Sequence, residues 1–245
     1  MTGKRPFLEA EWRHLALFNY EVDPALVEPF VPAGTQLDLF EGKAYVSVVG
    51  FLFLETRVMG MQVPFHGSFE EVNLRFYVRR EVEGEVRRAV TFIQEFVPKP
   101  AVSLVARLFY NENYATARMS HGFEGLDDET TSSRSLTYSW SHAGSDSRLE
   151  LSWDEPLEEM SSGSEEEFIA EHFWGYTRQR DGGTIEYEVE HPRWLVARAR
   201  EFRFECDVAK VYGERFVETL SGEPSSVFYA DGSEVRVYTG ERIET

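Results

Sequence analysis

Residues 69–80 read FEEVNLRFYVRR. The alternation is that of a β-strand, with Val72, Leu74, Phe76 and Val78 on one face and Glu71, Asn73, Arg75 and Tyr77 on the other. The apolar row is a core face. The polar row is either the wet side of an antiparallel sheet or the lining of a pocket, and spacing alone leaves both open. Glu71 and Arg75 stand about 13 Å apart along such a strand, too far to pair directly. If the row is buried, each needs a partner from a neighbouring strand or a ligand, because an unpaired buried charge is costly.

Strand signals surround this stretch. WRHLALFNYEV (12–22) reads as a strand, and Asp23-Pro24 opens a short helix with Asp23 as N-cap. Residues 35–40 and 44–57 read as strands, the second apolar on both faces and therefore central. EVRRAVTFIQEFV (85–97) is another strand. A helix follows from Pro100, with Ala101, Leu104, Val105 and Leu108 on one face, and YATARMSHGFEG returns to strand. Residues 134–142 and 147–153 form a hairpin. Ser164 and Glu167 make a capping box that starts a helix over 165–178, with Glu165 and Glu166 at its positive end. TIEYEVEH and WLVARAREFRFEC are strands, and Asp231-Gly232 is read as the turn of a closing hairpin. The expected fold class is α+β, mainly antiparallel β, in one domain spanning 1–245, without a linker or an internal repeat.

The chain has 245 residues and a formal net charge of −18. Such a surface repels nucleic acid and anionic membranes, so neither is an expected partner. Lysine is confined to Lys4, Lys43, Lys99 and Lys210, and the other basic side chains are arginines. An acidic, lysine-poor surface fits either solubility or a high-salt habitat. Cys206 is the lone cysteine, which excludes an intrachain disulfide and reads as a small core residue rather than a nucleophile. Apolar runs stay well short of a membrane span, and a cytoplasmic location is the expectation. Dinucleotide, P-loop, zinc-protease, C-x-x-C and nucleophile-elbow motifs are missing, and the six histidines have no metal-ligand spacing. No cofactor or metal is expected. His172, in EHFWGY, reads as a residue that packs or hydrogen-bonds at a helix surface.

The order VDPALVEPFVPAG, LDLFEGKAYVSVVGF, PFHGSFEEVNLRFYV, ARLFYNENYATARM, with a late EHFWGYTR and HPRW, resembles the YqjF-like family of unknown function, within the acetoacetate decarboxylase-like superfamily. The resemblance covers roughly residues 10–240. It implies antiparallel strands curled into a cone or barrel around an internal cavity, with a few short peripheral helices. It also implies a small-molecule ligand and allows a homo-oligomer.

In the decarboxylases a carboxylate on the strand equivalent to FEEVNLR faces the site, and a lysine beyond the following helix forms an imine with the keto acid. That lysine is nucleophilic because burial and a second lysine depress its pKa. Glu71 matches the carboxylate and Arg107 the helix arginine. The lysines do not match: Asn113, Tyr114 and Ala115 occupy the segment. Imine chemistry is therefore not expected.

Three readings remain open. One is a pocket that binds a small carboxylate or oxo acid through Asn73, Arg75, Arg107 and His66. The second is a lysine-independent lyase or hydratase with Glu71 as acid or base and Tyr114 as donor to an oxyanion. The third is an internal network that only fixes the fold.

Overall fold

A computed structural model describes residues 5–62, 67–98, 113–126 and 133–244. Five long strands form the spine. Leu8–Val22 pairs with Ser226–Val237 on one side and Ala44–Val58 on the other, and Phe69–Val82 and Glu85–Val97 follow in order. All four pairings are antiparallel. Ala44–Val58 is central, and its residues are buried from Ala44 to Phe53, as its two-faced apolar sequence requires. The sheet continues through a short parallel contact of Trp174–Arg178 with Glu85–Val97, then Thr184–Glu190. That last strand also pairs with Ser226–Val237 through Val189 and Val237, so the sheet curls back onto its own start. A separate four-stranded sheet, holding Arg118–Glu124, Arg134–His142, Ser145–Trp153 and Glu201–Glu205, packs against it.

The sheet separates two apolar cores. Val72, Leu74, Phe76 and Val78 join a core with Tyr138, Trp140, Leu149 and Leu151 of the smaller sheet. Gly50 lies at this seam, where a Cβ would stand 2.6 Å from the Tyr138 ring. Tyr77 faces the opposite core, built with Phe168, Ile169, Met160 and Trp194. FEEVNLRFYV is thus covered on both sides, and the choice between water and interior is settled: Glu71, Asn73, Arg75 and Tyr77 are 2%, 2%, 8% and 1% exposed.

Local chemistry accounts for the helix starts. The Asp23 carboxylate accepts from Ala25 N ahead of Pro24–Val27, and Ser164 Oγ accepts from Glu167 N ahead of Glu165–Ala170. Glu167 reaches back to Gly163 N, one residue earlier than a capping box would place it.

Three expectations need correction. The helix expected over 165–178 stops at Ala170, and Trp174–Arg178 is a strand paired with Thr184–Glu190. Asp181-Gly182-Gly183 turns that hairpin rather than ending a helix, with the Asp181 carboxylate accepting from Gly183 N. Asp231-Gly232 turns nothing, because Ser226–Val237 runs straight through it along Leu8–Val22. Finally, the strand expected over 35–40 shrinks to Gln36–Leu37. The helix expected from Pro100 lies outside the described residues, as do Arg107, His66 and Lys99.

Candidate functional site

The polar row is assembled across neighbouring strands by register. Asn19, Ser47 and Arg75 are successive cross-strand partners, and Asn73 stands between Val49 and Glu95. Two hydrogen-bonded groups result.

The first is centred on Glu71. Asn73 Nδ2 donates to Glu71 Oε1 at 3.0 Å, and the Tyr114 hydroxyl donates to Glu71 Oε2 at 3.0 Å. Tyr114 reaches Glu71 because Tyr114–Thr116 lies parallel to Glu95–Val97, with Tyr114 opposite Glu95. Glu95 is buried as well. Glu71, matched to the carboxylate of the resemblance, and Tyr114, standing in the lysine segment, are therefore in contact.

The second is a chain of hydrogen bonds with one direction. Ser47 Oγ donates to Asn19 Oδ1 at 2.7 Å, so its single hydrogen is committed. At 2.6 Å from Ser47 Oγ, the Tyr77 hydroxyl must then be the donor. Asn19 Nδ2 donates to Ser226 Oγ at 3.0 Å, and Ser226 Oγ donates to Glu165 Oε1 at 2.5 Å. The chain ties four strands to the first residue of the Glu165–Ala170 helix. The next residue, Glu166, is fixed by Arg198, whose Nη2 lies 2.6 Å from Glu166 Oε1. Burial pushes the Glu166 carboxyl up, but its own backbone N–H, Arg198 and Ser164 outweigh that and leave it below the usual carboxylate range.

This helix roofs the polar row. Arg75 Nη2 donates to Ile169 O at 3.0 Å, and the guanidinium lies 5.7 Å from the Tyr77 ring centroid. Arg75 has no carboxylate partner among the described residues, and its buried Nε has no hydrogen-bond partner there. Asn73 Oδ1 is buried in the same condition.

His172 belongs to this face, which its sequence did not indicate. It follows the helix rather than lying on it, is 6% exposed, and stacks on Tyr77 at 4.8 Å between ring centroids. Its ring nitrogens lack a side-chain partner among the described residues. Burial, then the charges of Arg88, Arg75 and His191, hold it well below the ordinary histidine value, against a smaller opposing effect of the Ile169 backbone. It is a neutral imidazole at physiological pH. The unfolded chain binds a proton at this position below about pH 6.5, where the folded chain does not. This contribution to stability is full above that pH and is lost as pH falls. Unfolding free energy should drop by up to about 1.4 kcal/mol per pH unit between about pH 6.5 and 5. Urea titrations of the protein and of His172→Phe check this, and a slope unchanged in the variant contradicts it.

The described lysines stand apart from this face. Lys43 pairs with Glu21 at 2.8 Å and Lys210 with Asp207 at 2.6 Å, both at the surface. The hydrogen bond to Glu21 raises the Lys43 pKa, away from a neutral amine. Burial pushes the half-buried Cys206 thiol up to about 11, far from a thiolate nucleophile. Among the described residues no group of three or more His, Cys, Asp or Glu side chains is placed to hold a metal ion, and no helix is long and apolar enough to cross a membrane.

Known structures share this architecture. Acetoacetate decarboxylase from Legionella pneumophila superposes with a TM-score of 0.67 at 13% identity, covering 98% of this chain and 87% of that one. An acetoacetate decarboxylase-like enzyme from Sphingomonas wittichii RW1 gives 0.70 at 13% identity, over 97% and 93%. The enduracididine biosynthesis enzyme MppR, complexed with pyruvate, gives 0.64 at 12% identity, over 100% and 92%. At these identities the likeness is one of fold.

In sequence, the uncharacterized protein YqjF of Bacillus subtilis is 31% identical over 68 residues. That match spans 27% of this chain and 28% of YqjF. Residues 9–234 match the DUF2071 family, described as an uncharacterized conserved protein. The chain is a member of the DUF2071 family, with an acetoacetate decarboxylase-like fold.

Proposed function

We propose that the Glu71–Asn73–Arg75 face binds a small organic carboxylate, with Arg75 as the group that holds it. The observation that carries this reading is a cation buried to 8% exposure whose Nε has no partner among the described residues. A buried guanidinium left this way costs several kcal/mol, roughly, and a carboxylate from solution removes that cost through paired N–H donors. The pyruvate complex of the structural neighbour MppR supports an oxo acid or a close relative as the ligand class. Arg107 and His66 would add to the same site from outside the described residues. The ligand is not held as an imine: Asn113, Tyr114 and Ala115 stand in the segment expected to carry the lysine.

Thermal melts with a panel of small oxo- and hydroxy-carboxylates test the reading. Binding only the folded state at a hundredfold excess over Kd stabilises by about 2.7 kcal/mol, a shift of several degrees. Arg75→Met should abolish the shift. A panel without effect on the parent protein, or an unchanged shift in the variant, contradicts the reading. Borohydride added with a keto acid should leave no covalent adduct.

A catalytic use of the same face is the second reading, favoured by the Tyr114 hydroxyl on Glu71. Glu71 would take a proton from a bound oxo or hydroxy acid, and that protonation would free the Tyr114 hydroxyl hydrogen from Glu71 to steady the oxygen that becomes anionic. Glu71→Gln that binds the ligand but loses turnover supports it. Equal turnover in the variant removes Glu71 from that role.

A further inference from the structure

We propose that this face selects a hydroxy-carboxylate over the matching oxo-carboxylate, with Asn73 reading the hydroxyl hydrogen. The inference rests on the carboxylate-binding reading above and concerns the group next to the carboxylate.

Asn73 is oriented by its hydrogen bond to Glu71. Its amide nitrogen lies 3.0 Å from Glu71 Oε1 and donates to it, which turns Oδ1 the other way. Oδ1 is left at the other end of the amide, buried and without a hydrogen-bond partner among the described residues. Buried acceptors in this condition are uncommon and point to an occupant that donates. The surroundings are rich in acceptors. Glu71 adjoins Asn73, and Glu95 is its cross-strand partner. The Tyr114 hydroxyl hydrogen is already committed to Glu71. The donor side of the face is Arg75, two residues along the same strand and roughly 7 Å away.

A small hydroxy acid matches this sequence of groups. Its carboxylate lies at Arg75 and its hydroxyl turns a hydrogen to Asn73 Oδ1. The corresponding oxo acid has only an acceptor to offer there, and that acceptor meets another. Sites that hydrogen-bond a hydroxyl reject analogues lacking it because the buried partner stays unpaired.

Calorimetric titration with matched pairs tests this: each lactate enantiomer against pyruvate, and 3-hydroxybutyrate against acetoacetate. The parent protein should bind at least one hydroxy acid tenfold or more tighter than its oxo partner. Asn73→Ala should bring that pair within threefold while still binding carboxylates, and Asn73→Ser, which keeps an acceptor oxygen, should fall between. The comparison within the parent protein stands even if a variant fails to fold. Oxo acids bound as tightly as hydroxy acids overturn the inference and leave carboxylate binding intact. A preference that survives in Asn73→Ala overturns the role of Asn73. Binding of neither class overturns both the inference and the reading beneath it.

Discussion

Gly232→Ala should destabilise the protein by about 3 kcal/mol or more, enough to be among the most damaging single-methyl additions in the chain. Gly232 adopts φ +79° within a continuous strand, and a Cβ there would stand 1.9 Å from the Trp12 carbonyl oxygen. Two costs add. An L-residue is strained at this φ, and the atom in the way is backbone held in the Leu8–Val22 ladder, which cannot swing aside as a side chain can. The adjacent His14 has a positive φ of 56°, and the pairing of its strand with Ala44–Val58 shifts register between Arg13 and Ala16. The strand therefore carries a bulge where Gly232 approaches it. The urea midpoint should fall with an unchanged slope. Gly84→Ala, at φ +84° with nothing within 4 Å of the added carbon, separates the two costs by retaining only the strain.

Ser47→Ala should cost about 2–4 kcal/mol, more than the lost hydroxyl suggests. Ser47 sits in the middle of the chain from Tyr77 to Glu165, and its removal orphans Asn19 Oδ1 and the Tyr77 hydroxyl together. All three residues are buried, so water cannot replace the contacts without opening the core. Tyr77→Phe in the same background removes one of the two orphans. The double variant should be more stable than the sum of the single losses implies, with a coupling of about 1 kcal/mol or more. Denaturant melts of the four proteins give the cycle, and strict additivity would show that the bond carries no net energy.

Much of the fold was legible because periodicity reports directly on burial. The Phe69–Val82 strand, the two-faced apolar run of Ala44–Val58 and the Glu85–Val97 strand follow from alternation alone. The two Asp-Gly pairs show where local chemistry stops informing. Each permits positive φ, but the 181–182 pair sits in a hairpin turn and the 231–232 pair sits inside a strand. Only pairing with the bulged Leu8–Val22 strand decides the second, and that partner lies over two hundred residues away in sequence. The helix expected to run to 178 failed for a similar reason. Trp-Gly-Tyr-Thr-Arg is a β-rich stretch with a hairpin partner downstream, and Gly175 is the residue that lets the Tyr187 ring lie over it.

The site divides in the same way. Glu71, Asn73 and Arg75 share a face by the two-residue period, so their grouping was readable, and Tyr114 joins them through Glu71. Tyr77, read as part of that row, ends in a hydrogen-bond chain that its neighbours in sequence do not reveal. Asn19, Ser47, Glu95 and His172 come from other elements and meet the row only through register and helix docking. His172 left no sequence signal beyond its aromatic neighbours, because its burial is set by the end of the helix at Ala170.

Arg75 is proposed to hold a small carboxylate on this face. A crystal structure of the protein grown with lactate tests it most directly. A carboxylate should lie within hydrogen-bond distance of Arg75 Nε and a hydroxyl oxygen within that distance of Asn73 Oδ1. A face filled only by protein side chains and water, with the lactate absent or bound elsewhere, would contradict it.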